Sequence, residues 1–338
     1  MYVSSRILFL NTVSCNYAPQ YSQKYSIPLS FFMLNYNQAL DIFLDYQKAH
    51  FNICAHCASF YFGGRRIMVN RLKQLMSILA TVIVSLILPL PVTAETSAIK
   101  IGIVLMHGKG GSPTKHVSDL ATALERKGIL VANLEMPWSG KRNYDVNVNV
   151  AEREVESALT VLRNKGAQKL FVAGHSQGGL FALYFGGKHV VDGIIAITPA
   201  GNVANATYRE KLGASVELAR KLIAEGKGEE KVMLSDYEGS KGTYSIYTTP
   251  AAYLSWFDPD GAMNQMAAIR NMNPTIPVLF IVPTNDYPGL LKVKQLMFES
   301  LPKNQRSKLY EPNSSHLGAP SASIEEIIQW STAVAGTQ

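Results

Sequence analysis

The sequence Leu170-Phe171-Val172-Ala173-Gly174-His175-Ser176-Gln177-Gly178-Gly179 changes character in its middle. An apolar run of strand character ends at Gly174, and a run of helical character over residues 180–185 follows the last glycine. A Gly-x-Ser-x-Gly pattern between a strand and a helix predicts a sharp turn that lifts the serine hydroxyl out of the sheet. A Cβ at the flanking glycines would collide with the neighbouring strand and helix. The pattern predicts that Ser176 is a nucleophile, and the alternative is a serine that only caps a helix.

A serine nucleophile needs a general base, and the chain has seven histidines. His316 is the one that follows Ser176 in a loop after a predicted core strand, where its imidazole could take the hydroxyl proton. His189 lies at the far end of the helix after Ser176, where we expect it to be solvated. We expect His107 to orient its own loop and His175 to be a packing residue. The sequence therefore predicts His316 as the base.

An acid that orients the imidazole should follow a strand and precede His316 in the chain. Asp286 does so, directly after the predicted strand over residues 276–282. It would fix the tautomer of His316 and stabilise the imidazolium. Asp258 and Asp260 are alternative acids, and Asp286 could instead cap the helix that follows it. We predict Asp286 as the acid.

With its strand–turn–helix serine motif and this chain order, the sequence resembles the α/β-hydrolase superfamily of serine esterases, lipases and related acyl hydrolases. The resemblance implies an oxyanion hole built from two backbone N–H groups. One is the N–H of Gln177, directly after the nucleophile. The other comes from the loop over residues 107–110, which resembles the His-Gly-rich loop of lipases and esterases. We predict that the Lys109 N–H is the second donor, and the Gly110 N–H is the next candidate.

The alternation of apolar strand runs and amphipathic helices predicts an α/β fold, with a mostly parallel central sheet and helices on both faces. This alternation of strands and helices breaks over about residues 202–272. A predicted helix begins there at Ala214, and Gly- and Tyr-rich residues come after it. The resemblance implies a small cap insertion there, and an ordinary connection with an extra helix and hairpin is the alternative. Aromatic residues in this insertion favour an apolar acyl or aromatic group in the pocket. Trp256, within the insertion, and Trp138, after a strand, are the predicted substrate-binding residues.

Residues 68–94 have the composition of a secretory signal peptide. A basic start after Met68 leads into an apolar run over residues 77–88 and a small-x-small ending, with Val92 and Ala94 at the −3 and −1 positions. The apolar run is short for a membrane span. We expect cleavage after Ala94 and a secreted or periplasmic location, and the alternative is an uncleaved anchor.

Residues 1–67 precede this signal and have no clear helical or strand period. We expect them to be a disordered N-terminal extension that arises from a mis-called start, with Met68 as the initiator. The hydrolase domain is then residues 95–338, which is long enough for one domain with a buried core.

Charge and cysteine content also divide the chain near Ala94. The net charge of the chain is +7, but residues 1–94 hold seven of the 32 basic and two of the 25 acidic residues. Residues 95–338 therefore have a net charge of only +2. The high pI is therefore no argument for nucleic-acid binding. All three cysteines also lie upstream, so residues 95–338 contain no thiol nucleophile and no disulfide. The sequence Cys54-Ala55-His56-Cys57 has no second Cys pair that would indicate a zinc site.

The glycine-rich loop over residues 108–112 could also hold phosphates before a helix. Pro113 stands where the dinucleotide fingerprint needs a glycine, and no Lys-Ser or Lys-Thr follows as the Walker pattern requires. No metal or organic cofactor is implied.

The sequence predicts an exported serine hydrolase that cleaves a carboxylic ester or thioester through an acyl-enzyme. A peptidase or acyltransferase on the same fold is one alternative, and a non-catalytic binding protein on a hydrolase scaffold is another. The expected partner is a small-molecule or lipid-like ester, with membrane contact only through the export signal. The sequence leaves the oligomeric state open.

Overall fold

The computed structural model describes Met76 and residues 99–336 except Ser240. The chain divides into two units, Met1–Ala94 and Glu95–Gln338, and the helices and strands given below all lie in the second unit. The predicted extension over residues 1–67 and the signal peptide over residues 68–94 fall outside the described residues, Met76 apart. Both stay predictions.

The helices and strands alternate at both ends of the domain, as the apolar pattern predicts. No helix in the described part of the chain is long and apolar enough to cross a bilayer. In chain order the elements are β1 (Ile101–Met106), α1 (Ser118–Arg126), β2 (Leu130–Leu134), α2 (Val148–Asn164), β3 (Lys169–His175), α3 (Gln177–Gly186), β4 (Gly193–Ile197), α4 (Ala206–Ala224), β5 (Val232–Glu238), β6 (Gly242–Thr248), α5 (Pro250–Phe257), α6 (Gln265–Arg270), β7 (Val278–Ile281), α7 (Pro288–Glu299), β8 (Lys308–Tyr310), α8 (Ala319–Ala322) and α9 (Ile324–Gly336).

Six strands form a parallel sheet in the order β2-β1-β3-β4-β7-β8. This confirms the predicted fold class. Because parallel strands point the same way, their carboxyl ends meet at one edge of the sheet, where loops from distant parts of the chain converge. The loops after β1, β3, β7 and β8 carry the predicted catalytic and oxyanion-hole residues, whereas Trp138 follows β2 and Trp256 lies in α5.

Apolar layers cover both faces of this sheet. Along β3, Phe171 and Ala173 pack on the layer that contains α1 and α9, while Leu170 and Val172 pack on the layer that contains α2, α3 and α7. A strand that is covered on both faces needs apolar residues at every position rather than at every second one. That requirement explains the continuous apolar runs in the sequence.

The segment between β4 and β7 holds α4, the antiparallel hairpin β5–β6, and the short helices α5 and α6. Helix α4 begins at Ala206, ahead of the predicted start at Ala214, because the Asn205 side chain accepts a hydrogen bond from the Tyr208 N–H and caps it. The first turns of α4 are largely polar and exposed, so their amphipathic pattern is weak.

Helix α3 starts in backbone contact with the ends of two strands. A Cβ on Gly174 would lie 2.1 Å from the Gly178 carbonyl oxygen, and a Cβ on Gly178 would lie 2.7 Å from the carbonyl oxygens of Met106 and His107. No real Cβ tolerates such distances. Both positions therefore require glycine, because any side chain there would collide with these backbone atoms and prevent the turn from closing.

This contact predicts a large difference between two Gly→Ala variants. Gly174→Ala should destabilise the fold by more than about 3 kcal/mol, because backbone atoms must move to admit the methyl group. Gly213→Ala, in helix α4 with no atom within 4 Å of the added Cβ, should stabilise it by about 0.5–1 kcal/mol. Urea unfolding of both variants measures the difference, and equal stabilities would contradict the proposed contact.

Candidate active site

Ser176 lies in the turn between β3 and α3 with a strained backbone. Its φ of 55° and ψ of −116° are unusual for a residue with a side chain. Two hydrogen bonds hold the turn: the Ser176 N–H donates to the Ile197 carbonyl at 2.8 Å, and the Ala200 N–H donates to the Ser176 carbonyl at 3.1 Å. The fold thus fixes the serine at the carboxyl edge of the sheet.

His316 and Asp286 form a buried pair, with Asp286 in the loop after β7 and His316 in the loop after β8. His316 Nδ1 lies 2.7 Å from Asp286 Oδ1, and both residues are about 5% exposed. The Tyr287 N–H donates to the same carboxylate oxygen at 2.6 Å. Since a carboxylate only accepts, this contact selects the tautomer of the neutral imidazole that has its proton on Nδ1 and a free lone pair on Nε2, the form that a base needs.

Ser176 and His316 line the same cavity, which has a volume of about 930 Å³. In the described part of the chain, the Ser176 hydroxyl and the His316 ring form no hydrogen bond with each other. Such contacts are often long without substrate and shorten only in the reacting complex.

The two alternative acids lie elsewhere. Asp258 pairs with Arg220 at 3.4 Å, and both Asp258 and Asp260 border a separate surface depression away from Ser176 and His316.

His175, next to the nucleophile, supports the loop that carries His316. Its Nε2 lies 2.9 Å from the His316 carbonyl oxygen, and the two rings are 5.1 Å apart. Burial, with a smaller contribution from the His316 charge, lowers the pKa of His175 to about 3. His175 is therefore neutral near pH 7 and donates its Nε2 proton to that carbonyl. Besides packing, as expected, it positions the base.

His107 orients the loop after β1, as expected. It is fully buried, and its Nε2 accepts from the Met136 N–H at 3.0 Å while its Nδ1 lies 2.7 Å from the Gly108 carbonyl. Burial lowers the pKa of His107, so it remains neutral and can serve both contacts at once.

The loop after β1 lies against the nucleophile turn, since a Cβ on Gly108 would be 3.1 Å from the Ser176 Cβ. The Gln177 and Lys109 N–H groups have no hydrogen-bond acceptor within the described part of the chain, so both are free for an oxyanion. The Gly110 N–H is not free, because it donates to the Trp138 carbonyl at 2.9 Å. Gly110 is therefore corrected from an oxyanion donor to a residue that anchors the loop.

The predicted substrate contacts Trp138 and Trp256 also need correction. Both are at most 2% exposed and neither lines the cavity. Their rings pack edge to face at 5.6 Å, and their indole N–H groups donate to the backbone carbonyls of His107 and Val146. Both side chains belong to the core, where their one polar group, the indole N–H, has an acceptor.

Most of the residues that line the cavity carry a polar group, although the surface they present to it is more apolar than polar. The insertion supplies much of the cavity wall, and Ala200 and Leu317 are its aliphatic residues. Its charged and hydroxyl-bearing members are Lys109, Lys115, Ser176, Thr207, Tyr208, Tyr237, Glu238, Lys241 and Tyr287. Within residues 99–336, no three His, Cys, Asp or Glu side chains group as metal ligands do.

Sequence reasoning missed Tyr287, whose ring stacks on the His316 imidazole at 4.3 Å with the planes 27° apart. Tyr287 is half exposed and covers one face of the base. Its position directly after the predicted acid is the signal that could have found it.

Solved structures share this architecture. The α/β hydrolase GrgF from Penicillium sp. sh18 has a TM-score of 0.53 at 15% identity, over 71% of this chain and 90% of that one. A highly thermostable carboxyl esterase from Bacillus coagulans has a TM-score of 0.50 at 15% identity, over 71% and 92%. The chain has the α/β-hydrolase fold.

One curated protein also resembles this chain in sequence. It is the esterase EstD from Thermotoga maritima, 22% identical over 227 residues, which make up 61% of this chain and 52% of EstD. The chain thus spans about half the length of that relative. No protein-family model matches the chain.

The neutral, buried His175 predicts a pH dependence of folding. Its pKa is about 3 in the folded protein and 6.5 ordinarily, so below pH 6.5 the unfolded chain binds the extra proton. The stabilisation is complete above pH 6.5 and is lost as the pH falls, by up to about 1.4 kcal/mol per pH unit. His175→Gln, which keeps a donor but does not titrate, should lose less stability between pH 7 and pH 4.5. Urea unfolding across this range tests it, and parallel curves for the two proteins would contradict it.

Proposed function

We propose that this chain is a serine hydrolase that cleaves a carboxylic ester, with Ser176 as nucleophile, His316 as base and Asp286 as the orienting acid. The observation that carries the proposal is the 2.7 Å contact between His316 Nδ1 and Asp286 Oδ1 at the cavity that Ser176 lines. The likeness to EstD supports ester chemistry. The signal-peptide pattern over residues 68–94 supports export as a further part of the proposal.

Each residue has one step in this mechanism. His316 Nε2 takes the proton of the Ser176 hydroxyl as its oxygen attacks the ester carbonyl carbon. The Gln177 and Lys109 N–H groups hold the resulting oxyanion. Collapse of this intermediate breaks the bond to the alcohol oxygen, which receives the proton from His316 and leaves an acyl group on Ser176. Water repeats the sequence and releases the acid.

The scarcity of aliphatic side chains in the cavity favours esters of short or hydrophilic acids over esters of long-chain lipids. A long acyl chain gains about 0.8 kcal/mol for each CH₂ that a continuous apolar wall takes from water, and charged and hydroxyl-bearing side chains interrupt the apolar surface of this wall. Tyr208 and Tyr237 of the insertion line the cavity, so the aromatic group that the composition of the insertion suggested also stays a candidate. A thioester remains a substrate that the same groups could cleave, and a peptidase or acyltransferase requires a different leaving group or acceptor.

Removal of the nucleophile tests the proposed chemistry. A fluorophosphonate probe should label the wild-type protein and leave Ser176→Ala unlabelled. Asp286→Asn should lower kcat for p-nitrophenyl acetate by on the order of 10³–10⁴-fold, because the wrong imidazole tautomer then faces the serine. Asp260→Asn makes the same substitution at an aspartate that lies away from Ser176 and His316. It is the matched control and should keep wild-type activity. No labelling of the wild type would favour a binding protein.

A chain-length series tests the substrate class. We expect kcat/KM for p-nitrophenyl esters to be highest for acetate or butyrate and to fall by at least about tenfold at dodecanoate, because polar side chains interrupt the apolar surface that a long chain would need. Activity that rises steadily with chain length would contradict a hydrophilic substrate without contradicting the hydrolase itself. Initial rates below the micelle concentration of each ester make the comparison valid.

A further inference from the structure

One buried ion pair joins the loop after β1 to the hairpin of the insertion. Lys109 Nζ lies 2.6 Å from Asp236 Oδ1, and the two side chains are 9% and 0% exposed. Taking two charges out of water is costly, and their attraction offsets that cost only with close geometry and further hydrogen bonds. Here the geometry is close, and Lys109 Nζ also donates to the Tyr237 carbonyl at 3.1 Å.

The other carboxylate oxygen of Asp236, Oδ2, is connected to Gln177, the other predicted oxyanion residue, through a tyrosine hydroxyl. The Tyr244 hydroxyl donates to Asp236 Oδ2 at 2.7 Å. The Tyr144 hydroxyl lies 3.4 Å from the same oxygen and 3.3 Å from the Gln177 side-chain oxygen, so its one proton can go to either. One carboxylate is thus linked to Lys109 directly and to Gln177 through a single hydroxyl.

The protonation states fit this arrangement. Burial opposes the charge on Lys109, but the neighbouring Asp236 more than offsets it and raises the pKa of the amine overall. Burial, followed by the Asp236 charge, raises the pKa of Tyr144 well above its ordinary value. Lys109 is therefore a cation and Tyr144 a hydrogen-bond donor near neutral pH.

The loop that carries Lys109 needs an external anchor. Lys109 stands between Gly108 and Gly110, with Gly111 next, and glycines leave a backbone free to adopt many conformations. Two backbone hydrogen bonds hold Gly110 and Gly111, but the Lys109 N–H itself has no acceptor in the described residues. The Lys109 side chain, fixed at Asp236 and at the Tyr237 carbonyl, is what sets the direction of that N–H.

We propose that Asp236 is a positioning residue for the oxyanion hole, acting through Lys109 and through Tyr144 on Gln177. The hairpin then completes the catalytic geometry in addition to forming the cavity wall. This inference rests on the proposed hydrolase function. A misplacement of about 1 Å in such a site can cost about 10²-fold in rate, which is why a distant carboxylate matters to the chemistry.

Asp236→Asn, assayed in the full domain, tests the inference. We expect kcat for p-nitrophenyl acetate to fall by about 10- to 100-fold while KM stays within about twofold, because the donors act on the transition state and not on the bound ester. Fluorophosphonate labelling of Ser176 should slow by a similar factor yet still reach completion. Absent labelling of the wild type would instead refute the proposed function.

A control variant separates positioning from stability. Glu154→Gln breaks another ion pair, Arg142–Glu154 at 2.7 Å, which is more exposed than Lys109–Asp236 and whose members do not line the cavity. It should lower the melting temperature and leave kcat unchanged. Lys109→Arg, which keeps the charge, should retain more kcat than Lys109→Met.

If Asp236→Asn does not fold, Tyr144→Phe replaces it. This variant removes only the hydroxyl between Asp236 and Gln177, and kcat should fall severalfold at an unchanged KM. Wild-type kcat in folded Asp236→Asn, or in Tyr144→Phe, would overturn the inference, as would a loss that Glu154→Gln reproduces.

Discussion

The close approach of backbone at the turn between β3 and α3 is the constraint on which the site depends. A helix can begin against the ends of β1 and β3 only because Gly174 and Gly178 have no side chain. That contact holds Ser176 in a conformation that its own backbone disfavours. It also brings the loop after β1 to the serine, with Gly108 against the Ser176 Cβ.

Around this turn, buried polar groups hold one another by specific pairing. His316 is held on one side by Asp286 and on its backbone by His175, while His107 bridges the loop after β1 and the Met136 N–H. A buried polar group without a partner is costly, so each such pair has one favourable arrangement. This explains how loops, which are usually mobile, can present side chains at fixed distances.

The insertion has more than one role in this architecture. It supplies much of the cavity wall, and through Asp236 it reaches the loop after β1. Asp236 stands on the inward face of β5 with Leu234, two residues before it. A carboxylate on the apolar face of a strand is a sequence signal that a buried cation or hydroxyl must lie opposite, but it does not identify the partner.

The sequence by itself determined the parallel α/β core and the residues that meet at its edge, because strand periodicity and the glycine requirement of the turn are local properties. It did not determine which aromatic residues reach the cavity. Trp138 and Trp256 look the same as pocket residues in composition, and only the packed core shows their indole groups satisfied internally. Tertiary structure alone also decided that the Gly110 N–H is occupied and that Lys109 meets Asp236, since these contacts join segments far apart in the chain. Local patterns fix local geometry, whereas the partner of a buried polar atom depends on which distant segments the fold brings beside it.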